Sequence, residues 1–276
     1  MNGYESEKKQ HYIDMLKNQL IANKEDIAFQ WNNPIGTKTR HFLLDNLLPT
    51  NDIDEIYNAF PRDGDGFFNR ESFREKKRTS ANLKSFNPIL SDITYALQDS
   101  SIVNLIQDIL GIKNLIPDPK LYAGGLSMMF PTDYLNPHID NSHDGERNCY
   151  RRLNLLFYVS PNWSGENGGN FELWSEDRTT PKTIISHQNR LVVMETNITS
   201  WHSVNEVKAD RPRCCVSNYY FSEDSPNGSS YFHVTSFLGR PEQPFRRAIG
   251  KIDNAIRNVI SKTLKRGRGS SLINKD

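Results

Sequence analysis

Short apolar runs dominate the chain after Tyr122, and they constrain the fold more than any other feature of the sequence. They lie at 122–130, 152–159, 170–174, 182–186, 190–195 and 213–221. Clusters of Pro, Gly, Asn and Asp separate the runs. Many short strands at close spacing are typical of a β-sandwich or a β-barrel. The sequence therefore predicts an all-β core of this type in the second half of the 276-residue chain.

Helices are predicted on both sides of these strands. Apolar residues recur in 8–33 at the three-and-four spacing of an amphipathic helix. They also line one face of "PFRRAIGKIDNAIRNVISKTLKR" (244–266), which carries many basic residues as well. The simplest interpretation packs this second helix against the barrel with its charges in solvent, and a membrane-surface or nucleic-acid contact is the alternative. We expect a helical N-terminal part and a basic C-terminal helix.

The segment between the first helix and the strands is predicted to mix several elements. "HFLLDNLLP" (41–49) favours a short strand closed by a proline, and a helix follows with Thr50 or Asn51 as its N-cap. The polar, turn-rich "DGDGFFNRESFREKKRTS" (63–80) is predicted to be a loop. Residues 87–111 favour one or two helices that end at Gly111, because glycine is common just after a helix.

The composition is that of an ordinary globular domain. The chain is 36% hydrophobic and 24% charged, and its formal net charge of +1 predicts no nucleic-acid partner. The first residues lack the apolar run of a secretory signal, and no stretch approaches the roughly 18 apolar residues of a membrane span. Cys149, Cys214 and Cys215 show no CxxC spacing. We therefore expect one catalytic-sized unit without a transmembrane segment, located in the cytoplasm.

A His, one spacer and an Asp stand between a proline and a strongly apolar run. His138 and Asp140 are two residues apart, so in an extended segment they project from the same face and can ligate one ion. A third ligand must come from another strand, and His202 follows one predicted strand ("NRLVVME") and precedes the next ("RCCVSNYYF"). Two His and one carboxylate form the facial triad of non-haem Fe(II) oxygenases, which leaves coordination positions open.

An arginine downstream of His202 fits a 2-oxoglutarate co-substrate. If 2-oxoglutarate chelates the iron, its far carboxylate needs a cation deep in the barrel, and the fork of an arginine serves best. "RPRCCVSNYYF" offers Arg211 and Arg213. Arg213 alternates along one strand face with Cys215, Ser217 and Tyr219, so we prefer Arg213 and keep Arg211 as the alternative.

These residues, taken in order, resemble the signature of the Fe(II)- and 2-oxoglutarate-dependent dioxygenases, in their prolyl 4-hydroxylase-like branch. "RRLNLLFYVSPNW", "GENGGNFELW" and "RCCVSNYYF" are similar to the strand after the HxD motif, the Gly-Gly turn and the closing strand of that domain. The resemblance covers 41–222 and implies a double-stranded β-helix, or jelly-roll, core. A helical extension (1–40) would precede it, and a loop, the basic helix and a flexible tail (223–276) would follow.

The resemblance also implies the roles of individual residues. His138, Asp140 and His202 would be the iron ligands and catalytic residues, and Arg213 would anchor 2-oxoglutarate. Molecular oxygen would be the second co-substrate, with ascorbate as a reductant. Because Asp140 is present where related halogenases have Gly or Ala, hydroxylation is favoured over halogenation.

Two further residues are predicted to line the co-substrate pocket. Tyr158 matches a position where such enzymes place a hydroxyl near the far carboxylate of 2-oxoglutarate. Asn154 shares the inward face of the same strand with Leu156 and Tyr158 by alternation. The chain departs from many relatives at Cys215, which stands where they have a Ser or another small residue.

The implied activity is hydroxylation of an unactivated C–H bond, with succinate and carbon dioxide as co-products. We favour a small-molecule or glycan substrate, because no peptide-binding repeat or second domain is visible. The alternative is a prolyl hydroxylase acting on a protein or peptide. Two alternatives come from other functional classes. The protein could be a non-catalytic binding or sensor module, or a cupin-like metal enzyme that does not use 2-oxoglutarate. The oligomeric state is not predicted by the sequence.

Overall fold

The computed structural model describes residues 6–243, which form helices on one side of a large, curled antiparallel sheet. The helices are α1 Glu7–Ala22, α2 Lys24–Asn32, α3 Thr50–Ala59, α4 Pro88–Ala96 and α5 Ser100–Leu110. The strands are β1 His41–Leu44, β2 Phe68–Glu71, β3 Glu75–Ser80, β4 Ile116–Pro117, β5 Gly125–Met129, β6 Tyr134–Ile139, β7 Tyr150–Tyr158, β8 Phe171–Trp174, β9 Pro181–Ile184, β10 Arg190–Glu195, β11 His202–Val204, β12 Arg213–Ser222 and β13 Ser236–Phe237. The predicted C-terminal helix lies outside the described residues. Within 6–243, no helix is long and apolar enough to cross a membrane.

Apart from the adjacent pair β8 and β9, which share one layer, the strands from β5 to β12 alternate between two layers of the sheet. The first layer has the order β1-β10-β7-β12-β5-β3, and the second has the order β6-β11-β8-β9. Strand β3 joins the layers, because it pairs with β5 at one end and with β6 at the other. This connectivity confirms the predicted double-stranded β-helix with flanking helices.

Side-chain alternation along β7 and β12 divides the core into an outer and an inner part. Leu153, Leu155 and Phe157 belong to the outer cluster, which packs against the helices. Tyr158 belongs to the inner cluster, between the two layers of the barrel. On β12, Cys214 likewise faces outward and Cys215 inward. The period of two along a strand thus separates a structural face from the face that lines the barrel interior.

The N-terminal helices differ from their prediction in detail. The periodic pattern in 8–33 forms two helices, α1 and α2, because the backbone leaves helical geometry at Asn23. The predicted N-cap at Thr50 or Asn51 is wrong: α3 already includes Thr50, follows Pro49, and has no capping side chain. Gly111 ends α5 in the left-handed region with φ of 64°, as predicted.

The segment predicted to be a loop at 63–80 contains the β2–β3 hairpin instead, so that prediction is wrong. Its β3 strand pairs Arg78 with Met128 of β5 and Glu75 with Leu135 of β6. All residues of β3 are partly exposed, so no apolar alternation marks the strand in the sequence. The backbone groups of β3 form hydrogen bonds with the otherwise open edges of β5 and β6. Such tertiary pairing overrides the weak strand propensity of the segment.

Candidate metal and co-substrate site

Strands β6 and β11 bring the three predicted metal ligands together. His138 lies in β6, and its direct cross-strand partner is His202, the first residue of β11. Asp140 follows the end of β6. Its Oδ1 lies 3.8 Å from His138 Nε2, and its Oδ2 lies 3.8 Å from His202 Nε2. One ligand atom from each residue can be chosen so that all lie within 4.8 Å of one another, which is a group that could hold a metal ion.

Backbone carbonyl groups fix the tautomer of both imidazoles. His138 Nδ1 lies 3.0 Å from the carbonyl oxygen of Asn136, and His202 Nδ1 lies 2.9 Å from that of Ser200. A carbonyl oxygen only accepts, so each Nδ1 carries the proton and donates it. Each Nε2 therefore keeps its lone pair, which is the arrangement of metal-ligating histidines with an ordered outer partner. The donor set fits a divalent transition metal.

Burial keeps both imidazoles neutral at physiological pH. Desolvation, followed by the nearby His202, lowers the pKa of His138 to about 3. Desolvation also lowers the pKa of His202. For Asp140, burial opposes ionisation, but the positive charge of Arg151, supported by the electrostatic effect of the two nearby histidines, outweighs it and holds the pKa of Asp140 below its usual range. The site therefore presents two neutral nitrogen donors and one carboxylate anion.

The sequence analysis missed Arg151, a buried residue of β7 beside the triad. Its side chain is 4% exposed, and its Nη1 lies 3.3 Å from Asp140 Oδ2. The register against β12 shifts at this point: Leu153 pairs with Tyr220, but Arg151 pairs with Phe221. The extra residue is Arg152, so simple alternation fails here. The adjacent Arg pair at the start of an apolar strand was the one available signal.

Arg213 and Tyr158 lie together on the inner face of the barrel. Arg213 Nη1 donates a hydrogen bond of 3.0 Å to the carbonyl oxygen of Gly169, and its guanidinium carbon lies 5.2 Å from the Tyr158 ring centre. Among the described residues, Arg213 Nε and the Tyr158 hydroxyl form no hydrogen bond. Burial, partly offset by Arg213, raises the pKa of Tyr158, which keeps the hydroxyl protonated. A fixed cation and a proton donor therefore stand side by side.

Arg211, the alternative anchor, is placed differently. Its Nη2 donates to the carbonyl oxygens of Pro161 and Asn162, at 2.8 and 2.9 Å. Its guanidinium group packs against the Trp163 ring, 5.7 Å away. Arg211 thus supports a turn, while Arg213 is 4% exposed inside the barrel. The role of Arg213 as co-substrate anchor stays a prediction.

Asn154 and Cys215 line the same interior. Asn154 is 2% exposed, and its Oδ1 has no hydrogen-bond partner among the described residues. It lies opposite Tyr219 of β12, whereas Cys215 lies opposite Tyr158. Burial raises the pKa of the Cys215 thiol to about 11, so the thiol stays protonated and acts as a small neutral side chain. Cys215 therefore fits the place of a small residue beside Arg213.

The Gly-Gly turn before β8 is shaped by its contact with Arg213. Gly169 has φ of 61°, a conformation that side chains rarely adopt. A Cβ at Gly169 would lie 2.9 Å from Val207 Cγ2 and 3.3 Å from Arg213 Cδ. Only glycine lets this turn bring its carbonyl oxygen close to Arg213.

A segment after β12, predicted to be a loop, returns to the metal site. Its strand β13 pairs with β6, so Phe237 is the cross-strand partner of His138. The two rings are nearly parallel, with centres 5.1 Å apart and an interplanar angle of 17°. Further upstream in the segment, the backbone of His233 bonds to that of Ser142 at 3.0 Å. β13 thus covers the free edge of β6 at His138 and Ile139, which no sequence signal indicated.

Comparison with known proteins relates this geometry to a family. Residues 124–221 match the family model of the 2OG-Fe(II) oxygenase superfamily. A Mus musculus protein named prolyl 3-hydroxylase OGFOD1 is 28% identical over 96 residues, which cover 33% of this chain and 17% of that protein. The Xenopus laevis protein of the same name is 32% identical over 103 residues, covering 34% of this chain and 20% of that protein. The chain thus spans a fifth or less of the length of these curated relatives.

A solved structure shares the fold over most of the chain. It is a prolyl hydroxylase from Trichoplax adhaerens in complex with a hypoxia inducible factor oxygen degradation domain peptide fragment. It aligns with a TM-score of 0.50 at 17% identity and covers 84% of this chain and 98% of that chain. At this identity the likeness concerns the fold alone. Residues 124–221 are thus similar in sequence to the 2OG-Fe(II) oxygenase superfamily, and the chain shares its fold with a solved prolyl hydroxylase.

Proposed function

We propose that the protein is an Fe(II)- and 2-oxoglutarate-dependent hydroxylase that acts on a prolyl residue of a peptide or protein. The observation that carries the proposal is the group of buried His138 and His202 with the partly buried Asp140, whose ligand atoms lie within 4.8 Å of one another. These residues would hold Fe(II). The metal, 2-oxoglutarate and oxygen would supply the oxidising power that converts C–H to C–OH, with succinate and carbon dioxide as co-products.

The protein's own residues would bind and orient these groups. A divalent metal bound by two neutral imidazoles and one carboxylate would keep a net positive charge. This charge would favour the binding of a dianionic co-substrate. Arg213 would bind the far carboxylate of 2-oxoglutarate, and the Tyr158 hydroxyl would donate to the same group. Asn154 would line the same pocket.

Apolar side chains would keep water out of the reaction space. The inner cluster includes Phe171, Leu173 and Val192, each at most 1% exposed. A dry interior strengthens the pairing of Arg213 with a carboxylate and protects a reactive intermediate from side reactions.

The named relatives support the peptide alternative rather than the small-molecule or glycan substrate that the sequence analysis favoured. Both curated relatives are named prolyl 3-hydroxylases. The solved structure similar to this chain is a prolyl hydroxylase with a bound peptide fragment. The domain bounds 1–40, 41–222 and 223–276 and the cytoplasmic location stay predictions.

The proposal is tested with purified full-length protein, Fe(II), 2-oxoglutarate, oxygen and a panel of proline-containing peptides. We expect succinate release together with a peptide mass increase of one oxygen atom. H138A should abolish both, and R213A should abolish them unless excess 2-oxoglutarate is added. R211A is the matched control and should retain activity.

Each alternative predicts a different outcome of this assay. An active R213A variant without 2-oxoglutarate dependence would indicate a metal enzyme of the cupin type. Tight metal and 2-oxoglutarate binding without any succinate, even uncoupled from substrate, would indicate a sensor module. Succinate release stimulated by sugars or small metabolites but by none of the peptides would restore the small-molecule interpretation.

A further inference from the structure

A buried arginine outside the predicted ligand set lies against the triad carboxylate. We propose that Arg151 is a positioning residue, which holds the Asp140 carboxylate in the orientation needed to bind a metal together with His138 and His202. The inference rests on the metal-site part of the proposed function. It assigns to β7 a role in shaping the metal site in addition to lining the co-substrate pocket.

The Arg151 guanidinium group is fixed by contacts on several sides. Nη1 lies 3.3 Å from Asp140 Oδ2, and Nη2 donates a hydrogen bond of 2.8 Å to Asn141 Oδ1. The guanidinium carbon lies 4.2 Å from the ring centre of Tyr219 and 5.9 Å from that of Phe221. A planar fork held by an amide and two aromatic rings is preorganised to fix a carboxylate.

Asp140 needs such a partner more than the two histidines do. Each imidazole is tethered through Nδ1 to a backbone carbonyl, that of Asn136 or Ser200. Asp140 lies just past the end of β6. Among the described residues, Arg151 is its ion-pair partner besides the histidines, and the uncharged Tyr219 hydroxyl interacts with the same carboxylate. Without Arg151 the carboxylate could rotate away from the point that both Nε2 atoms face. Outer partners of this kind typically affect metal affinity 10- to 100-fold.

Two physical effects of Arg151 oppose each other. Orientation of Asp140 should strengthen metal binding, but the positive charge of Arg151 repels a dication. R151Q removes both effects, whereas R151K keeps the charge and loses the fork. If orientation dominates, both variants bind metal more weakly. If repulsion dominates, R151Q binds the metal more tightly than the unaltered protein, and R151K binds it with unchanged affinity.

The test is calorimetric titration of Mn²⁺ into the full-length protein. We expect the Kd to rise roughly 10- to 100-fold in both R151Q and R151K. The matched control is R152Q, because Arg152 is the buried neighbour that donates to the carbonyl oxygen of Asp224, and its Kd should stay unchanged. Should R151Q fail to fold, R151K alone decides. Unchanged or tighter binding in the folded Arg151 variants, or an equal loss in R152Q, would overturn the inference.

Two further readouts separate positioning from general stability. The Co²⁺ absorption spectrum should change in R151K but not in R152Q, because only the first alters the orientation of a ligand. In D140A, added formate should tighten Mn²⁺ binding by replacing the lost carboxylate beside Arg151, and in the D140A/R151Q double variant it should not. Equal rescue in both variants, or a Co²⁺ spectrum that R151K leaves unchanged, would overturn the inference.

Failure of this inference differs from failure of the proposed function. If the unaltered protein binds Mn²⁺ and the Arg151 variants bind it equally well, only the role of Arg151 is refuted. If metal binding depends on Arg151 but no peptide is oxidised, the positioning role stands and the proposed substrate is refuted. If the unaltered protein binds no Mn²⁺, both are refuted.

Discussion

Replacing Tyr158 by phenylalanine should separate the stability of the protein from its affinity for 2-oxoglutarate. The Tyr158 side chain is fully buried, and its hydroxyl forms no hydrogen bond among the described residues. Burying an unpaired hydroxyl costs about 1–3 kcal/mol. Without co-substrate, Y158F should therefore raise the free energy of unfolding by about 1 kcal/mol, at the lower end of that range because the Ser186 hydroxyl is nearby.

The same change should weaken co-substrate binding. A hydrogen bond to a charged group contributes about 1.5–3 kcal/mol, which corresponds to a roughly 10- to 100-fold rise in the Kd for 2-oxoglutarate. Urea denaturation measures the stability, and titration of 2-oxoglutarate into the Mn²⁺-loaded protein measures the affinity. A functional hydroxyl thus predicts a more stable protein that binds its co-substrate more weakly.

Tyr220 provides the matched control for this experiment. It is also fully buried, but it lies on the outer face of β12 and its hydroxyl donates to the carbonyl oxygen of Leu97. Y220F should lower the free energy of unfolding by about 1–2 kcal/mol and leave the Kd for 2-oxoglutarate unchanged. If Y158F is destabilised like Y220F and binds 2-oxoglutarate normally, the role given to Tyr158 is refuted.

Two other perturbations test the turn beside Arg213 and the pH dependence of stability. G169A should destabilise the protein by about 1–2 kcal/mol and also raise the Kd for 2-oxoglutarate, because its Cβ would press on Arg213. The control is G111A, which has φ of 64° and no atom near its Cβ, and it should cost a similar strain energy without affecting the Kd. Equal Kd values for 2-oxoglutarate in G169A and G111A would contradict the argument. Burial, followed by Lys182, lowers the pKa of His41, so the unfolded chain binds the proton more readily than the folded protein does. Stability should therefore fall as the pH drops below about 6.5, the ordinary pKa of an imidazole. H41N retains a side-chain donor toward Thr39 and should flatten this part of the curve of unfolding free energy against pH, and an unchanged slope would show that His41 does not contribute to it.

Local patterns predicted the elements whose stability is itself local. The strand over 190–195 and the helix end at Gly111 were found because alternation and turn residues express φ, ψ and burial directly in the sequence. The hairpin β2–β3 was missed because its strand depends on two open edges of the sheet, far away in the chain. The break between α1 and α2 carried no proline or glycine to mark it.

The sequence by itself determined the chemistry available to the protein. The sequence predicted two imidazoles, a carboxylate and a guanidinium group whose side chains face the interior of the barrel. This prediction came from the residue types and the spacing of His138, Asp140, His202 and Arg213. These predictions needed only the strand period of two and the preferences of metal ions and carboxylates for their partners.

Only the tertiary structure decided which groups meet. The pairing of β6 with β11 sets His138 beside His202, and the register shift at Arg152 turns Arg151 toward Asp140. The return of the chain as β13 places Phe237 against His138. These contacts join residues far apart in sequence, and a one-residue register shift reverses the facing of a side chain, so no local pattern can specify them.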